Sequence, residues 1–320
     1  INNKEITDEE WSIIIEELQP KIEEYYNHTG VNVSFFELIT ISALLYFYRN
    51  EVDFVVLETG LGGRFDASNV CKNPICSIIT SISLDHTDRL GNTTEKIAYE
   101  KAGIIKNGSF VIVSTNNNGY KIIKNQAEKI GAKLISAEKN VKIEYKNGIN
   151  YALLNDFRYE FPMLGLYQSK NLALVFEAVE LLKQKGFKIS LKEGLQTSYW
   201  AMRMEFIKEK NMLIDGAHNP DGAAELKKNI EYYFKEQKKI FIYGTINTKD
   251  YKTVSKLLFE PDDEIYYYEF HHPNAVSFQE YKDNMPNLKN LSIYTPKILE
   301  KKELKILTGS LYMIGDFLKF

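Results

Sequence analysis

Three side chains able to act together on an anionic substrate lie between Asp53 and Lys106. Glu58 ends the apolar run Phe54 to Leu57, and His86 follows the run Ile75 to Ile82 through Ser83-Leu84-Asp85. Lys101 sits in Glu100-Lys101-Ala102-Gly103-Ile104-Ile105-Lys106. A carboxylate where a strand meets a loop is a hard oxygen ligand of the kind Mg²⁺ accepts beside waters and phosphate oxygens. A neutral imidazole can ligate metal while a neighbouring acid such as Asp85, or a carbonyl, orients it. A lysine partly removed from water can react or be modified. Each also has a plainer reading: Glu58 capping a turn or pairing with Arg64, His86 as a hydrogen-bonded structural residue, and Lys101 in an exposed pair with Glu100 or Glu95.

Between the first two lies Thr59-Gly60-Leu61-Gly62-Gly63-Arg64-Phe65-Asp66. The glycines let backbone approach a ligand closely. Arg64 could clamp an anion, and Asp66 could accept hydrogen bonds. Farther on, Asp215 and His218 follow the run Met212 to Ile214 in Asp215-Gly216-Ala217-His218-Asn219-Pro220. Arg203 lies upstream in Trp200-Ala201-Met202-Arg203-Met204-Glu205. Its guanidinium suits a polyphosphate, or a salt bridge with Glu205.

Residues 8–26 place apolar side chains at helical spacing behind an acidic first turn, and Phe35 to Tyr48 reads as a buried helix. Phe54 to Leu57, Cys76 to Ile82 and Phe110 to Val113 are unbroken apolar runs, the pattern of central parallel strands covered on both faces. Helices are predicted over 93–102, with Asn92 as N-cap, and over 120–130, closed by Gly131. Residues 141–161 alternate around Asn147-Gly148, a hairpin signal. A long helix over Ser169 to Lys185 follows. Strands at Met212 to Ile214, Ile240 to Tyr243, Glu264 to Tyr268 and Lys305 to Leu307 alternate with helices near 221–235, 250–258 and 310–319. This order predicts two α/β units, a three-layer domain over 1–198 and a Rossmann-like domain over 199–320, with ligands at the carboxyl ends of the strands.

A chain of 320 residues exceeds the usual single domain. Its 40 Lys and Arg against 43 Asp and Glu make no field of one sign, which argues against a nucleic acid or an anionic membrane as partner. The two cysteines, Cys71 and Cys76, are too few for a disulfide framework or a thiolate zinc site, so a reduced, cytoplasmic setting is expected. No apolar run approaches the roughly 20 residues of a membrane span.

Taken in order, the stretches Val56 to Val70, Ser83 to Thr87, Glu100 to Lys106, Leu213 to Pro220 and Thr308-Gly309-Ser310-Leu311-Tyr312 resemble folylpolyglutamate synthase and the bifunctional dihydrofolate synthase of the Mur ligase family. The resemblance covers essentially the whole chain. It implies a P-loop NTPase-like central domain of Mur-ligase type, a C-terminal Rossmann-like domain, and ATP-dependent joining of a pteroate or folate carboxylate to L-glutamate through an acyl phosphate. Carried over to this sequence, Glu58 and His86 would hold Mg²⁺, and Lys101 would be a carbamylated lysine supplying a third ligand. Ser34, Phe35, Phe36 and Glu37 with Arg64, Phe65, Asp66 and Ala67 would form the folate side. Asn171, Arg203 and Asp215 would contact ATP, and His218 would join Lys101 as a catalytic residue. A monomer is expected.

Departures accompany these matches. The family carries a Gly-rich phosphate loop before the Glu58 motif, and no G-x-x-x-x-G-K-[ST] occurs here. Ile1 to Thr7 resembles a segment beyond that loop, so the chain reads as N-terminally truncated, and no ligase activity is expected of it alone. Tyr167 replaces a His common in the family, and Thr245 to Asp250 only partly matches a more charged loop. Alternatives are another Mur-type amino-acid ligase, such as a peptidoglycan amino-acid adder, and a non-catalytic folate-binding or partner-binding remnant. The stretch Gly62 to Asn69 favours the folate branch.

Overall fold

A computed structural model describes residues 1–84 and 86–319. The chain divides into two compact units, Ile1–Ser136 and Ala137–Phe320.

In the first unit, α1 (Asp8–Thr29) and α2 (Phe35–Arg49) each open on a capping box, Thr7 with Glu10 and Ser34 with Glu37. A parallel sheet follows, in the order β1 (Cys76–Ile79), β2 (Phe110–Val113), β3 (Lys133–Ser136). Between its strands run α3 (Thr87–Leu90), α4 (Thr94–Ala102) and α5 (Tyr120–Ile130), and Gly131 stops α5 in the left-handed region. Ile97, Ala98 and Ala102 of α4 and Ile123 and Ala127 of α5 pack with Val111 and Val113 in one core. The N-cap of α4 is Thr93 rather than Asn92, because the Thr93 hydroxyl accepts from the amide of Lys96.

Two strand expectations fail here. Phe54 to Leu57 belongs to none of the sheets of the described residues, and Val56 is 95% exposed. An apolar run specifies a covered strand only when a neighbour pairs with it, and the unit's ladders join only β1 to β2 and β2 to β3. The strand expected over Cys76 to Ile82 ends at Ile79, level with Val113 of β2. The residues after Ile79 have left the ladder.

In the second unit, β4 (Lys142–Lys146), β5 (Ile149–Leu154) and β6 (Phe157–Glu160) form an antiparallel sheet. Asn147 and Gly148 both take positive φ, as a two-residue hairpin turn requires. α6 (Gln168–Gln184) and α7 (Leu191–Gln196) come next. A six-stranded sheet is then built from β7 (Glu205–Ile207), β8 (Met212–Asp215), β9 (Lys239–Tyr243), β10 (Glu264–Tyr267), β11 (Asn290–Ile293) and β12 (Leu304–Thr308), in the order β11-β10-β9-β12-β8-β7. All neighbours are parallel except β7 on β8.

The helices α8 (Pro220–Tyr233) and α9 (Tyr251–Leu258) lay Leu226, Ile230, Val254 and Leu258 on one face of this sheet. α10 (Phe278–Asn284) adds Tyr281 to that core. α11 (Leu311–Phe317) lays Met313 and Ile314 on the other face. Side chains alternate along β12 accordingly, Leu304 and Ile306 one way and Leu307 the other. The register sets Asp215 beside Thr308, so the charged end of β8 stands at the carboxyl edge of the sheet. Among the described residues no helix is long and apolar enough to cross a membrane.

Candidate functional site

The loop 60–66 brings together the start of α2, with Phe36, and the end of α4, with Lys101. On one side is the N-terminus of α2, where Phe36 lies against Gly60 and a Cβ at position 60 would stand 2.5 Å from the ring. Ser34 and Glu37 are engaged with each other: the amide and hydroxyl of Ser34 donate to Glu37 Oε2 at 2.8 and 2.6 Å, and the amide of Glu37 donates to Ser34 Oγ at 3.3 Å. Hydrogen bonds from the Ser34 hydroxyl and amide hold the Glu37 carboxyl below its ordinary range. Their first task is thus to start the helix that presents Phe35, 76% exposed.

On its other side the loop lies on the end of α4, the helix that carries Lys101. The amide of Arg64 donates to Glu100 O at 2.8 Å. The Arg64 guanidinium grips the Glu100 carboxylate through Nε at 3.1 Å and Nη2 at 2.7 Å, and this hydrogen bonding raises its pKa. The fork geometry is that of a bidentate pair. The acid that Arg64 pairs with is therefore Glu100 rather than Glu58. The guanidinium also lies 4.2 Å from the centroid of Phe65 and 5.1 Å from that of Tyr99.

The contact is close because two positions lack side chains. A Cβ on Gly63 would meet Glu100 O at 2.8 Å and Lys101 Cα at 3.1 Å, and one on Gly103 would meet Arg64 Cβ at 2.3 Å.

Asp66 organises the loop from within. Its carboxylate accepts from the Leu61 amide at 2.7 Å, the Ser68 amide at 2.9 Å and the Ser68 hydroxyl at 2.6 Å. Burial pushes its pKa up, but the hydrogen bonds from Ser68, Leu61 and Gly60 outweigh it and leave the group more acidic than usual. Ala67 follows, half-buried in the short turn 67–70 that Asp66 caps.

Glu58 is exposed beyond Leu57. His86 is exposed too, in the left-handed region at φ 49°, where its carbonyl accepts from the amides of Arg89 and Leu90 at the start of α3. Lys101 is half-buried in the last turn of α4. Asp85 lies outside the described residues. Among those residues no group of three or more His, Cys, Asp and Glu stands placed for a metal ion. The carboxylate of Glu58 is a hard oxygen donor of the kind Mg²⁺ takes, and the exposure of Glu58 and His86 leaves room for the waters Mg²⁺ keeps.

In the second unit, Asp215 is buried at the end of β8. Burial raises its pKa, opposed by the Met204 amide on Oδ2 at 2.9 Å, the charge of Arg203 and the Ala217 amide on Oδ1 at 2.9 Å. Arg203 is exposed between Met202 at φ 59° and Met204 at φ 47°. Two non-glycine residues in the left-handed region around one arginine store backbone strain that the surrounding fold must hold. Glu205 accepts from the Tyr199 hydroxyl and the Met202 amide, the position where a salt bridge with Arg203 was the plainer expectation.

His218 Nδ1 lies 2.8 Å from Gly216 O; a carbonyl only accepts, so Nδ1 carries the hydrogen and a neutral ring offers Nε2 as acceptor. Asn171, in the first turn of α6, donates to Gln168 Oε1 at 3.0 Å. Tyr167, at the start of that helix, has its hydroxyl pKa raised by burial first and by the charge of Asp215 second.

Sequence reasoning considered Glu100 only as a partner for Lys101 and assigned no individual role to Asn69 or the strained methionines. The first two stood inside the motifs, but the pairings that reveal them join positions more than 30 apart in the chain.

Comparison with known proteins places this arrangement. Residues 14–179 match the Mur ligase middle domain, and residues 201–289 match the dihydrofolate synthetase C-terminal domain. The dihydrofolate synthase/folylpolyglutamate synthase of Bacillus subtilis is 31% identical over 342 residues, spanning 100% of this chain and 79% of that protein. The folylpolyglutamate synthase of Thermotoga maritima superposes with a TM-score of 0.83 at 27% identity, over 100% of this chain and 77% of that one. A folylpolyglutamate synthase solved as a complex with AMPPCP and folate gives 0.74 at 26% identity, over 95% and 75%. The two-unit α/β architecture is thus that of a known group of ATP-dependent ligases, and the chain belongs to the folylpolyglutamate synthase/dihydrofolate synthase branch of the Mur ligase family.

Proposed function

We propose that this chain carries the folate, metal and most nucleotide contacts of a ligase that joins L-glutamate to tetrahydrofolate, and also to dihydropteroate, driven by ATP. The observation that carries the proposal is the loop 60–66, bounded by Phe36 on one side and by the helix bearing Lys101 on the other. It brings a surface fit for an aromatic substrate to a lysine fit for metal chemistry.

A carboxylate resists attack by an amine until one of its oxygens becomes a leaving group. Phosphorylation supplies that group, and the glutamate amine then displaces phosphate from the acyl phosphate. Bound through Glu58, His86 and a carbamate on Lys101, Mg²⁺ would spread the charge of the transferring phosphoryl group. Arg203, fixed between two strained residues, is suited to the polyphosphate, with Asn171 and Asp215 contacting the remainder of ATP. His218, held through Nδ1 on a backbone carbonyl, would act as a proton acceptor through Nε2 in its neutral form. Exposed Phe35 and Phe65 offer faces for the pterin ring, with Ser34, Glu37, Arg64, Asp66 and Ala67 fixing the backbone between them. The same proposal makes 1–198 the central domain and 199–320 the C-terminal domain, the enzyme monomeric and its setting cytoplasmic. Support for the boundary comes from the family matches, one ending at 179 and the other starting at 201.

Calorimetric titration of the chain with folate and with ATP tests the contacts. Binding of folate is expected, and a chain that binds neither folate nor dihydropteroate would sink the folate reading. These 320 residues hold no phosphate-cradling G-x-x-x-x-G-K-[ST], so the isolated chain is expected to form no amide from labelled glutamate. ATP-dependent ligation by it would overturn that part.

A further inference from the structure

We infer that Asn69 is a positioning residue for Lys101, holding the Gly-rich loop onto the last turn of the helix that carries the lysine. The inference rests on the proposed carbamylation of Lys101. Asn69 uses one amide nitrogen on two carbonyls, Arg64 O at 3.0 Å and Gly103 O at 3.1 Å. The first bond closes the loop on itself. The second takes a carbonyl at the end of α4, where helix carbonyls lack partners of their own.

From the loop's other end, the Arg64 amide takes Glu100 O, a carbonyl that also accepts from the Gly103 amide at 3.2 Å. Loop donors therefore hold the carbonyls on both sides of Lys101. Lys106 Nζ completes the tie by donating to Asn69 O at 3.3 Å. With Gly63 lying against Lys101 Cα, the backbone of the lysine has little freedom unless the loop lifts. Asparagine suits the task because its amide group brings two N–H bonds and no charge, whereas aspartate would turn carboxylate oxygens toward two carbonyls.

Carbamylation requires the neutral amine of Lys101. After the ammonium gives one proton to solvent base, its nitrogen lone pair bonds to the carbon of CO₂, one C=O π pair moves onto oxygen, and a second proton leaves nitrogen to solvent base, so a cationic side chain becomes an anionic oxygen ligand. A lysine held in one place presents that carbamate to the same partners each time. A lysine on a loosened turn does not, and the carbamate then reverts to CO₂ and amine.

The test uses the chain in ¹³C-labelled bicarbonate. Carbon NMR of the wild type should show a carbamate resonance that Lys101→Ala lacks. Asn69→Ala, shown folded by circular dichroism, should lose at least about threefold of its intensity, and Asn69→Ser, which retains one donor, should recover part. Equal intensity in wild type and Asn69→Ala overturns the inference. A wild type with no resonance overturns the carbamylation reading instead. Hydrogen exchange at the Arg64 amide is then decisive for the tie: Asn69→Ala should accelerate it about tenfold, and unchanged exchange rejects the positioning role. If Asn69→Ala does not fold, Asn69→Ser is read against the same criteria.

Discussion

Gly60 and Phe36 touch so closely that a single added methyl would stand 2.5 Å from the ring's Cζ. Phe36 is itself 43% exposed and can turn outward, so Gly60→Ala should fold normally while moving an aromatic wall of the folate surface. A loss of about tenfold in folate affinity, or about 1.4 kcal/mol, is expected by calorimetry. Gly103 offers no such release, because a Cβ there meets Arg64 Cα at 2.5 Å. Gly103→Ala must lift the loop and should cost about 1–3 kcal/mol in urea unfolding.

Asp66 makes stability depend on acid. Its folded pKa lies below that of an ordinary aspartate, so its contribution is complete above the ordinary range and is lost as pH falls through that range to the folded value. Asp66→Asn should therefore be less stable than wild type at neutral pH by about 1–2 kcal/mol, and the two should converge as pH falls below the ordinary aspartate range. A gap that stays constant with pH would contradict the hydrogen-bonding account.

Asp215 acts with the opposite sign. Burial raises its folded pKa, so the folded state holds the proton more readily than the unfolded chain, and stability falls as pH rises from the ordinary aspartate range to the raised value. Asp215→Asn should flatten the dependence of stability on pH above the ordinary aspartate range, whatever it does to the absolute level. Denaturant midpoints collected across that interval give the slope.

Lys101→Ala removes an amine from a half-buried position in the last turn of a helix whose buried face is Ile97, Ala98 and Ala102. The far-ultraviolet circular dichroism spectrum should be unchanged, since the buried face of the helix is untouched. Binding of Mn²⁺, followed by electron paramagnetic resonance, should weaken at least about tenfold. Unchanged metal binding would remove Lys101 from the ligand set.

Much of the second unit was legible because its strands are covered on both faces and write their burial as unbroken apolar runs. Met212 to Ile214, Ile240 to Tyr243 and Lys305 to Leu307 all fall within observed strands. The segments that escaped, Lys133–Ser136 in the first unit and Glu205–Ile207 and Asn290–Ile293 in the second, are short edge strands with partly exposed side chains and so carry no such run. Phe54 to Leu57 failed in reverse, with the composition of a strand and no place in a sheet.

At the site, residue types were readable and partners were not. Ser34 and Glu37 have the spacing of a capping box, and that is the bond they make. Arg64 had acids on offer at 58 and 66, yet its partner is Glu100, which only the folding of the loop onto α4 brings within reach. Asn69 gave no signal beyond its type, since its value lies in bonding two carbonyls that the sequence holds far apart.

The run Phe54 to Leu57 also bears on how these 320 residues behave by themselves in solution. An exposed segment of high β-propensity outside any sheet is a nucleus for association, and charges at its ends are the usual defence. Here those charges are Asp53 and Glu58. The carboxylate proposed to hold Mg²⁺ therefore also guards a sticky segment. Glu58→Ala should bring aggregation along with any loss of metal, whereas Glu58→Asp keeps the guard and shortens only the reach of the ligand.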